Sequence, residues 1–316
     1  MTTLVGLVAN PVAGRDIRRI TARASLVPNH EKSAIVRRVL AGLDAAGVDA
    51  VQYFPDLAGV VRAALDGTTT SLAVDPLAIH PTGHAEDSTE AARLLVRAGA
   101  TVIVTLGGDG TNRAVAAGCG DVPLVAVSTG TNNVFPTMVD GTVAGLAAGL
   151  VATGRVGGDA AVRRAKRVEV AGDFALIDAA GCRDRFVGAR AIWDPQRVQS
   201  LVLARAEPWN VGLSAIGGAL CPVSADEPCG LWVELGGDGH VVRVPVAPGL
   251  VLTVPVRRWR RLDLDEPVPL GDGPGTVALD GERELAVEGP TAAKVTRTGP
   301  WLVDIREALR KGSGDA

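Results

Sequence analysis

Through residue 130, short β-branched runs alternate with longer segments of helical period, and that alternation restricts the fold more than any other feature. Residues 4–9, 50–54, 72–74, 101–106 and 124–127 read as strands. Between them, 31–46, 57–65 and 86–98 place apolar residues at i, i+3 or i+4, as Ile35, Val39 and Leu43 do. Strands separated by helices predict a parallel sheet, because parallel neighbours need a crossover connection. Gly47, Gly67 and Gly99 sit where helix C-caps belong. After residue 153 the texture changes, and Pro and Gly punctuate short alternating runs at 167–170, 231–235, 241–246, 250–256 and 276–279. That half reads as mainly β, with a helix expected over 196–205 and another over 302–309 that returns to dock on the first domain. The expected fold is α/β plus β, with an α/β nucleotide-binding domain over 1–140 and a mainly β domain over 141–300. The 316 residues leave room for both, at roughly 100–200 per domain.

Composition narrows the class of function. Hydrophobic residues at 47% and charged residues at 21% exclude disordered, collagen-like and coiled-coil chains. Lys and Arg total 32 against 35 Asp and Glu, a net charge of -3 that argues against a nucleic-acid partner. Aromatic residues at 3% leave few platforms for base stacking. The chain runs from Met1 straight into the first strand with no basic n-region, and the longest apolar tract, 143–151, is broken by Gly145 and Gly149. It falls short of the ~20 residues a membrane span needs, so a cytoplasmic protein is expected. Cys119, Cys182, Cys221 and Cys229 form no C-x-x-C pair and the four histidines no H-E-x-x-H, so buried free thiols and no protein-ligated metal are expected. Two basic clusters, Arg163, Arg164, Lys166, Arg167 and Arg257, Arg258, Arg260, Arg261, read as solvated strand edges. Trp259 within the second would equally suit an anionic membrane surface.

The sharpest motif is Gly107-Gly108-Asp109-Gly110-Thr111, directly after a strand and before a helical run that opens at Asn112. The carboxyl end of a parallel strand is where α/β proteins bind ligands. Glycines there let backbone amides approach phosphate oxygens, and the helix N-terminus adds partial positive charge. Asp109 would repel a polyphosphate unless it accepts a proton from an acceptor hydroxyl or holds magnesium, both of which phosphoryl transfer uses. A tight turn with a helix-capping Asp fits the same residues. Ser128-Thr129-Gly130-Thr131-Asn132-Asn133 follows the next strand, and Asn10-Pro11-Val12-Ala13-Gly14-Arg15 follows the first. Thr131 and Asn133 offer uncharged contacts to ribose or phosphate, and Arg15 a phosphate clamp. Arg18, Arg19 and Arg23 read as a solvated basic helix face. There is no G-x-x-x-x-G-K-[ST] and no G-x-G-x-x-G. In the β-rich half, Leu279-Asp280-Gly281-Glu282 reads as a hairpin turn.

Together these turns resemble one superfamily, the NAD kinase and diacylglycerol kinase group. Gly107 to Thr111 is similar to its G-G-D-G-T loop, Gly130-Thr131 with Asn133 to the lipid-kinase G-T-x-N, Asn10-Pro11 with Gly14 to N-P-x-[SA]-G, and Asp280-Gly281-Glu282 to D-G-[EQ]. More narrowly, 10–19 followed by Asn29-His30-Glu31-Lys32 resembles the acetoin-catabolism protein X branch, usually called ATP-NAD kinase-like. The resemblance implies a C-terminal β-sandwich-like domain and an active cleft lined by both domains. It implies ATP and Mg2+ as cofactors, NAD as acceptor or ligand, and a homodimer. Asp109 becomes the candidate base and Glu282 the second carboxylate. Around the nucleotide it places Asn10, Gly14 and Arg15, then Gly107, Gly108, Gly110, Thr111 and Asn112. Thr129, Gly130, Thr131, Asn132 and Asn133 join them, with Asp178, Asp280 and Gly281 from the second half. Two departures stand out. NAD kinases carry an Asn-[Glu/Asp] pair where this chain has Ile177-Asp178, and Val134-Phe135-Pro136 replaces the Asp and Arg of lipid kinases. The acceptor is therefore open among NAD or a related nucleotide, a lipid or small alcohol, and none at all in an accessory protein that only binds nucleotide.

Overall fold

The computed structural model describes residues 2–13, 27–130, 132–186, 190–192 and 194–313. Five strands open the chain: β1 (Leu4–Ala9), β2 (Ala50–Tyr53), β3 (Ala73–Pro76), β4 (Val102–Gly107) and β5 (Leu124–Ser128). They pair in parallel in the order β3-β2-β1-β4-β5. Helices α1 (Asn29–Ala45), α2 (Val60–Leu65), α3 (Glu86–Arg97), α4 (Asp109–Ala116), α5 (Gly141–Ala152) and α6 (Gly158–Ala161) complete this half. Gly47, Gly67 and Gly99 take the left-handed φ of 73°, 70° and 86° that lets the chain leave a helix.

One apolar cluster joins α1 and α5 to a face of the sheet through Val36, Leu40, Leu43, Ala144 and Ala148. A second joins α3 and α4 to the other face through Ala92, Leu95, Ile103 and Val115. The glycines that interrupt 143–151 serve this packing. A Cβ on Gly145 would collide with the Val39 carbonyl oxygen, and one on Gly42 with the α5 backbone at Thr142 and Leu146. Among the described residues no helix is long and apolar enough to cross a membrane.

The second half supplies β6 (Val162–Arg164), β7 (Arg167–Val170), β8 (Asp173–Ala175), β9 (Asp178–Cys182), β10 (Val198–Leu203), α7 (Ser214–Leu220), β11 (Cys229–Ala247) and β12 (Leu250–Asp263). Then follow β13 (Val268–Gly271), β14 (Gly275–Leu279), β15 (Glu282–Val287), β16 (Thr291–Thr296), β17 (Trp301–Val303) and α8 (Ile305–Gly312). A sheet β12-β11-β10-β9-β14-β15 packs on a smaller one, β13-β16-β7-β8, around Val168, Val202, Leu270, Val277 and Val295. This is the β-sandwich-like domain.

The α/β layer does not end near residue 140. Helix α5 belongs to its core, β17 adds to the first sheet parallel to β5, and β6 pairs antiparallel with β17. Two expectations are corrected. Residues 196–205 form no helix: after a 3-10 turn at Pro195–Arg197 they are β10, whose Leu201, Val202 and Leu203 are fully buried. A short apolar run buried on both faces has no alternation to mark it as a strand. Residues 302–309 split into a strand and a helix, and Asp304 caps the helix through Glu307 N–H at 3.0 Å.

The chain crosses between domains at Ala165 and Lys166, and Lys166 departs from the solvated edge expected of its cluster. Only 4% exposed, its Nζ donates to the carbonyl oxygens of Ser224 at 2.8 Å and Cys229 at 2.7 Å. Burial pushes its pKa down to about 8 from 10.5. An amine with a depressed folded pKa adds stability above its unfolded value and loses it as pH falls through the folded one. Wild type should therefore gain stability over Lys166→Met as pH rises from about 8 to 10.5, read from urea midpoints. A constant difference across that window would show that the ammonium carries no burial cost.

Candidate functional site

Strand order reverses between β1 and β4, the place where α/β sheets open a crevice at their carboxyl ends. Three loops meet there, because Ala9 pairs with Leu106 and Gly107 with Ser128. They are also bonded to each other. Asn10 Nδ2 donates to Thr111 Oγ1 at 2.8 Å, Asn10 N–H to Leu106 O at 2.9 Å, and Thr129 N–H to Gly107 O at 3.2 Å. Lys32 is fully buried at the start of α1 and donates to the carbonyl oxygens of Asn10 at 2.9 Å and Pro11 at 3.0 Å. It was noted in the sequence only as part of a motif. Nothing local marks it as the post on which the first loop rests.

Asp109 opens α4 at the carboxyl end of β4 and is half-buried. Its Oδ1 accepts from Phe135 N–H at 2.8 Å and Val134 N–H at 3.1 Å, and its Oδ2 lies 3.2 Å from the latter. The carboxylate is thus fixed in direction by the loop after β5. No side chain caps α4, and its first internal bond runs from Asn112 N–H to Gly108 O at 3.1 Å. The N–H groups of the preceding turn therefore have no i-4 acceptor within the helix. The glycines divide in purpose. A Cβ on Gly108 would lie 2.8 Å from Asn133 Oδ1, and one on Gly107 would strike the Thr111 side chain, so both are required by the loop's own packing. Gly110 is exposed with open space around it, the approach a phosphate would use.

Other expected contacts prove to be supports. Asn112 is fully buried, accepting from Thr105 Oγ1 at 2.6 Å and donating to Gly108 O at 2.9 Å, so it braces the loop from beneath. Asn133 Nδ2 donates to Ser128 Oγ at 2.9 Å, and Ser128 Oγ donates to Gly130 O at 2.9 Å. Among the described residues the buried Thr129 Oγ1 has no hydrogen-bond partner, a loss of roughly 1–3 kcal/mol unless a ligand supplies one. Asn132 is half-buried beside it. Gly14, Arg15 and Thr131 lie outside the described residues, as do Arg18, Arg19 and Arg23.

The hairpin motif also turns inward. Asp280 and Gly281 have φ of 51° and 77°, and Gly281 O accepts from Ile192 N–H at 2.8 Å. The Asp280 side chain is 1% exposed and accepts from Ile177 N–H at 2.7 Å and Leu176 N–H at 2.9 Å. Burial pushes its carboxyl up, opposed by Arg113 and by those amides. The Asp280 carboxylate and the Gly281 carbonyl are therefore engaged in shaping the domain junction. Arg113, four residues beyond Asp109 and on the same helix face, lies 3.5 Å from Asp280 Oδ2 and pairs with Glu284. That contact sets the hairpin, and with it the half-buried Glu282 at the start of β15, against the helix of Asp109. Asp178 begins β9 at 5% exposure, and its carbonyl accepts from Asp280 N–H at 2.9 Å. Ile177 belongs to an apolar cluster with Ala126, Phe135 and Leu176, which is why a polar residue is absent there.

Arg205 was not foreseen either. It reaches from the β domain to Val134 O at 3.0 Å and pairs with Glu207 at 2.5 Å, bracing the segment that holds Asp109. Cys119 and Cys182 are buried as expected, whereas Cys221 and Cys229 are half-buried and face Arg261. Among the described residues no three His, Cys, Asp or Glu side chains converge as a metal site.

Switch-point crevice, glycine loop and fixed carboxylate all lie in the half of the chain that matches an NAD kinase-like domain. Residues 5–156 match the ATP-NAD kinase N-terminal domain, and residues 159–299 match the acetoin catabolism protein X C-terminal domain. The chain is 41% identical over 302 residues to "Acetoin catabolism protein X" of Cupriavidus necator, covering 90% of this chain and 84% of that protein. It belongs to the acetoin catabolism protein X family. Solved structures with a similar course include a diacylglycerol kinase from Bacillus anthracis (TM-score 0.49, 14% identity, 95% of this chain and 96% of that one). An NAD kinase from Archaeoglobus fulgidus in complex with ATP gives a TM-score of 0.41 at 13% identity, covering 99% of this chain and 100% of that one.

Proposed function

We propose that this chain binds ATP at the 107–111 and 129–133 loops and transfers its γ-phosphoryl group to a hydroxyl of NAD or a related nucleotide, in the setting of acetoin catabolism. The observation that carries the reading is Asp109, a carboxylate held by the Val134 and Phe135 amides at the open end of a glycine loop. In that role Asp109 takes the proton of the acceptor hydroxyl as the hydroxyl oxygen bonds to the γ-phosphorus. The bond from that phosphorus to the β–γ bridging oxygen breaks, and ADP leaves with the electron pair. The uncapped start of α4 and the open face at Gly110 receive phosphate oxygens, and Thr129 Oγ1 supplies a hydroxyl that lacks another partner among the described residues.

The donor set suits Mg2+ that arrives with the phosphates and keeps several waters, with Asp109 as the side chain to hold it. When bound, the ion neutralises charge on the phosphates. A homodimer and a cytoplasmic location belong to the same proposal. A second reading, a nucleotide-binding accessory protein without turnover, is favoured by one observation: the apolar, buried Ile177 where NAD kinases place an amide.

The test is transfer of labelled γ-phosphate from Mg-ATP to NAD and to diacylglycerol in parallel. Labelled NAD supports the proposal. Labelled diacylglycerol moves the chain to lipid chemistry, and ATP binding with no labelled product selects the accessory reading.

A further inference from the structure

A cavity of about 570 Å3, lined along one wall by the 135–139 segment, opens between the two domains. Its walls include Phe135, Val139, Leu176, Ile177, Leu302 and Leu309, with the exposed Met138 and Val143 among its lining. An apolar hollow of this size suits a small organic molecule. The charges around it are unbalanced. Arg163, Arg164, Lys166, Arg205 and Arg306 line it, against Asp226 and Asp304.

The pairing of these groups sharpens the imbalance. Arg163 is met by Asp304 at 3.3 Å, Arg164 by Asp121 at 2.9 Å, and Arg205 by Glu207 at 2.5 Å. Asp304 is further occupied in capping α8. Among the described residues neither Lys166 nor Arg306 forms an ion pair within 4 Å, and Glu227, the carboxylate that acts on Lys166 from a distance, is itself paired with Arg261 at 2.6 Å. Lys166 is the telling one, because its buried ammonium meets only two carbonyl oxygens, at 2.8 and 2.7 Å. An ammonium has three N–H donors, and a buried cation without a counter-charge in contact is costly. An anion in the cavity would satisfy both needs.

We propose that this cavity is a binding site for a small amphipathic anion, an apolar chain or ring with one carboxylate or phosphate head, the head at Lys166 and Arg306 and the body against Phe135, Ile177 and Leu302. Because Ile177 stands at the position of the NAD kinase amide, the proposal names the ligand class that this part of the cleft takes, and it does not depend on the chain being a kinase. The cavity shares one wall with the phosphate loops, since the segment of Phe135 also carries the amides that hold Asp109.

The probes are octanoate, octyl phosphate and neutral 1-octanol, titrated calorimetrically into the full chain without nucleotide. Saturable binding of octanoate or octyl phosphate, at least about tenfold tighter than octanol, is expected, and the tighter of the two names the head group. Lys166→Met should weaken the anions about tenfold while leaving octanol unchanged. Should that variant not fold, Arg306→Ala at the exposed rim and Thr137→Trp at the mouth serve instead. The first should weaken the anions alone, and the second all three probes. The proposal is overturned by octanol binding as tightly as the anions, by affinities that Thr137→Trp leaves unchanged, or by no saturable binding.

Discussion

Asp109→Asn is expected to lower ATP-dependent phosphotransfer by about 10²–10⁴-fold, the range general-base removal commonly produces. The variant should still fold. The Asn oxygen can replace Oδ1 as acceptor for Val134 and Phe135 N–H, and among the described residues the weaker 3.2 Å approach to Oδ2 is given up, about 1 kcal/mol. Affinity for ATP in the absence of Mg2+ should change little, because the loop amides and the start of α4 are untouched. The combination is the diagnostic result: a fall in kcat with a nearly constant thermal midpoint and nearly constant binding of metal-free ATP. Full phosphotransfer by Asp109→Asn would remove the proton-accepting role assigned here.

Arg113→Met is expected to cost about 3–5 kcal/mol of stability, the usual result of removing one partner from a buried ion pair. Arg113 is the guanidinium between Asp280, whose side chain is 1% exposed, and Glu284 on the same hairpin. Without it the Asp280 carboxylate keeps the Leu176 and Ile177 amides but loses its counter-charge. Urea denaturation of the single variants and of Arg113→Met combined with Asp280→Asn should give a coupling energy of about 0.5–3 kcal/mol. Asp280→Asn keeps an acceptor for the amides and removes the charge, so the double variant separates charge from hydrogen bonding. A cost below about 1 kcal/mol for Arg113→Met would mean that the domains are not held together at this contact. The same variant bears on the site, because Arg113 connects the helix of Asp109 to the hairpin that carries Glu282.

The local pattern of the sequence determined which segments of the first half became strand and helix, where glycine ended three helices, and that G-G-D-G-T would lie at the carboxyl end of a parallel strand. These depend on the spacing of apolar residues and on backbone freedom, which neighbouring residues settle among themselves. The runs 231–235 and 241–246 read as β, but their joining into one 19-residue strand through Gly236 and Gly237 does not, since it depends on a partner, β12, that pairs with both runs on either side of a bulge at 236–239. Only the tertiary structure decided that 198–203 is a central strand, that 301–303 completes the first sheet from the far end of the chain, and that Lys166 is buried. It also divided the motif residues by role. Asp109 stands half-buried at the carboxyl end of β4, whereas Asn112 and Asp280 face inward, and Ile177 is apolar because two domains close on it. A motif records which residues stand together along the chain. Whether a carboxylate meets solvent or a buried guanidinium depends on groups more than a hundred residues away, as Arg113 and Asp280 do on each other.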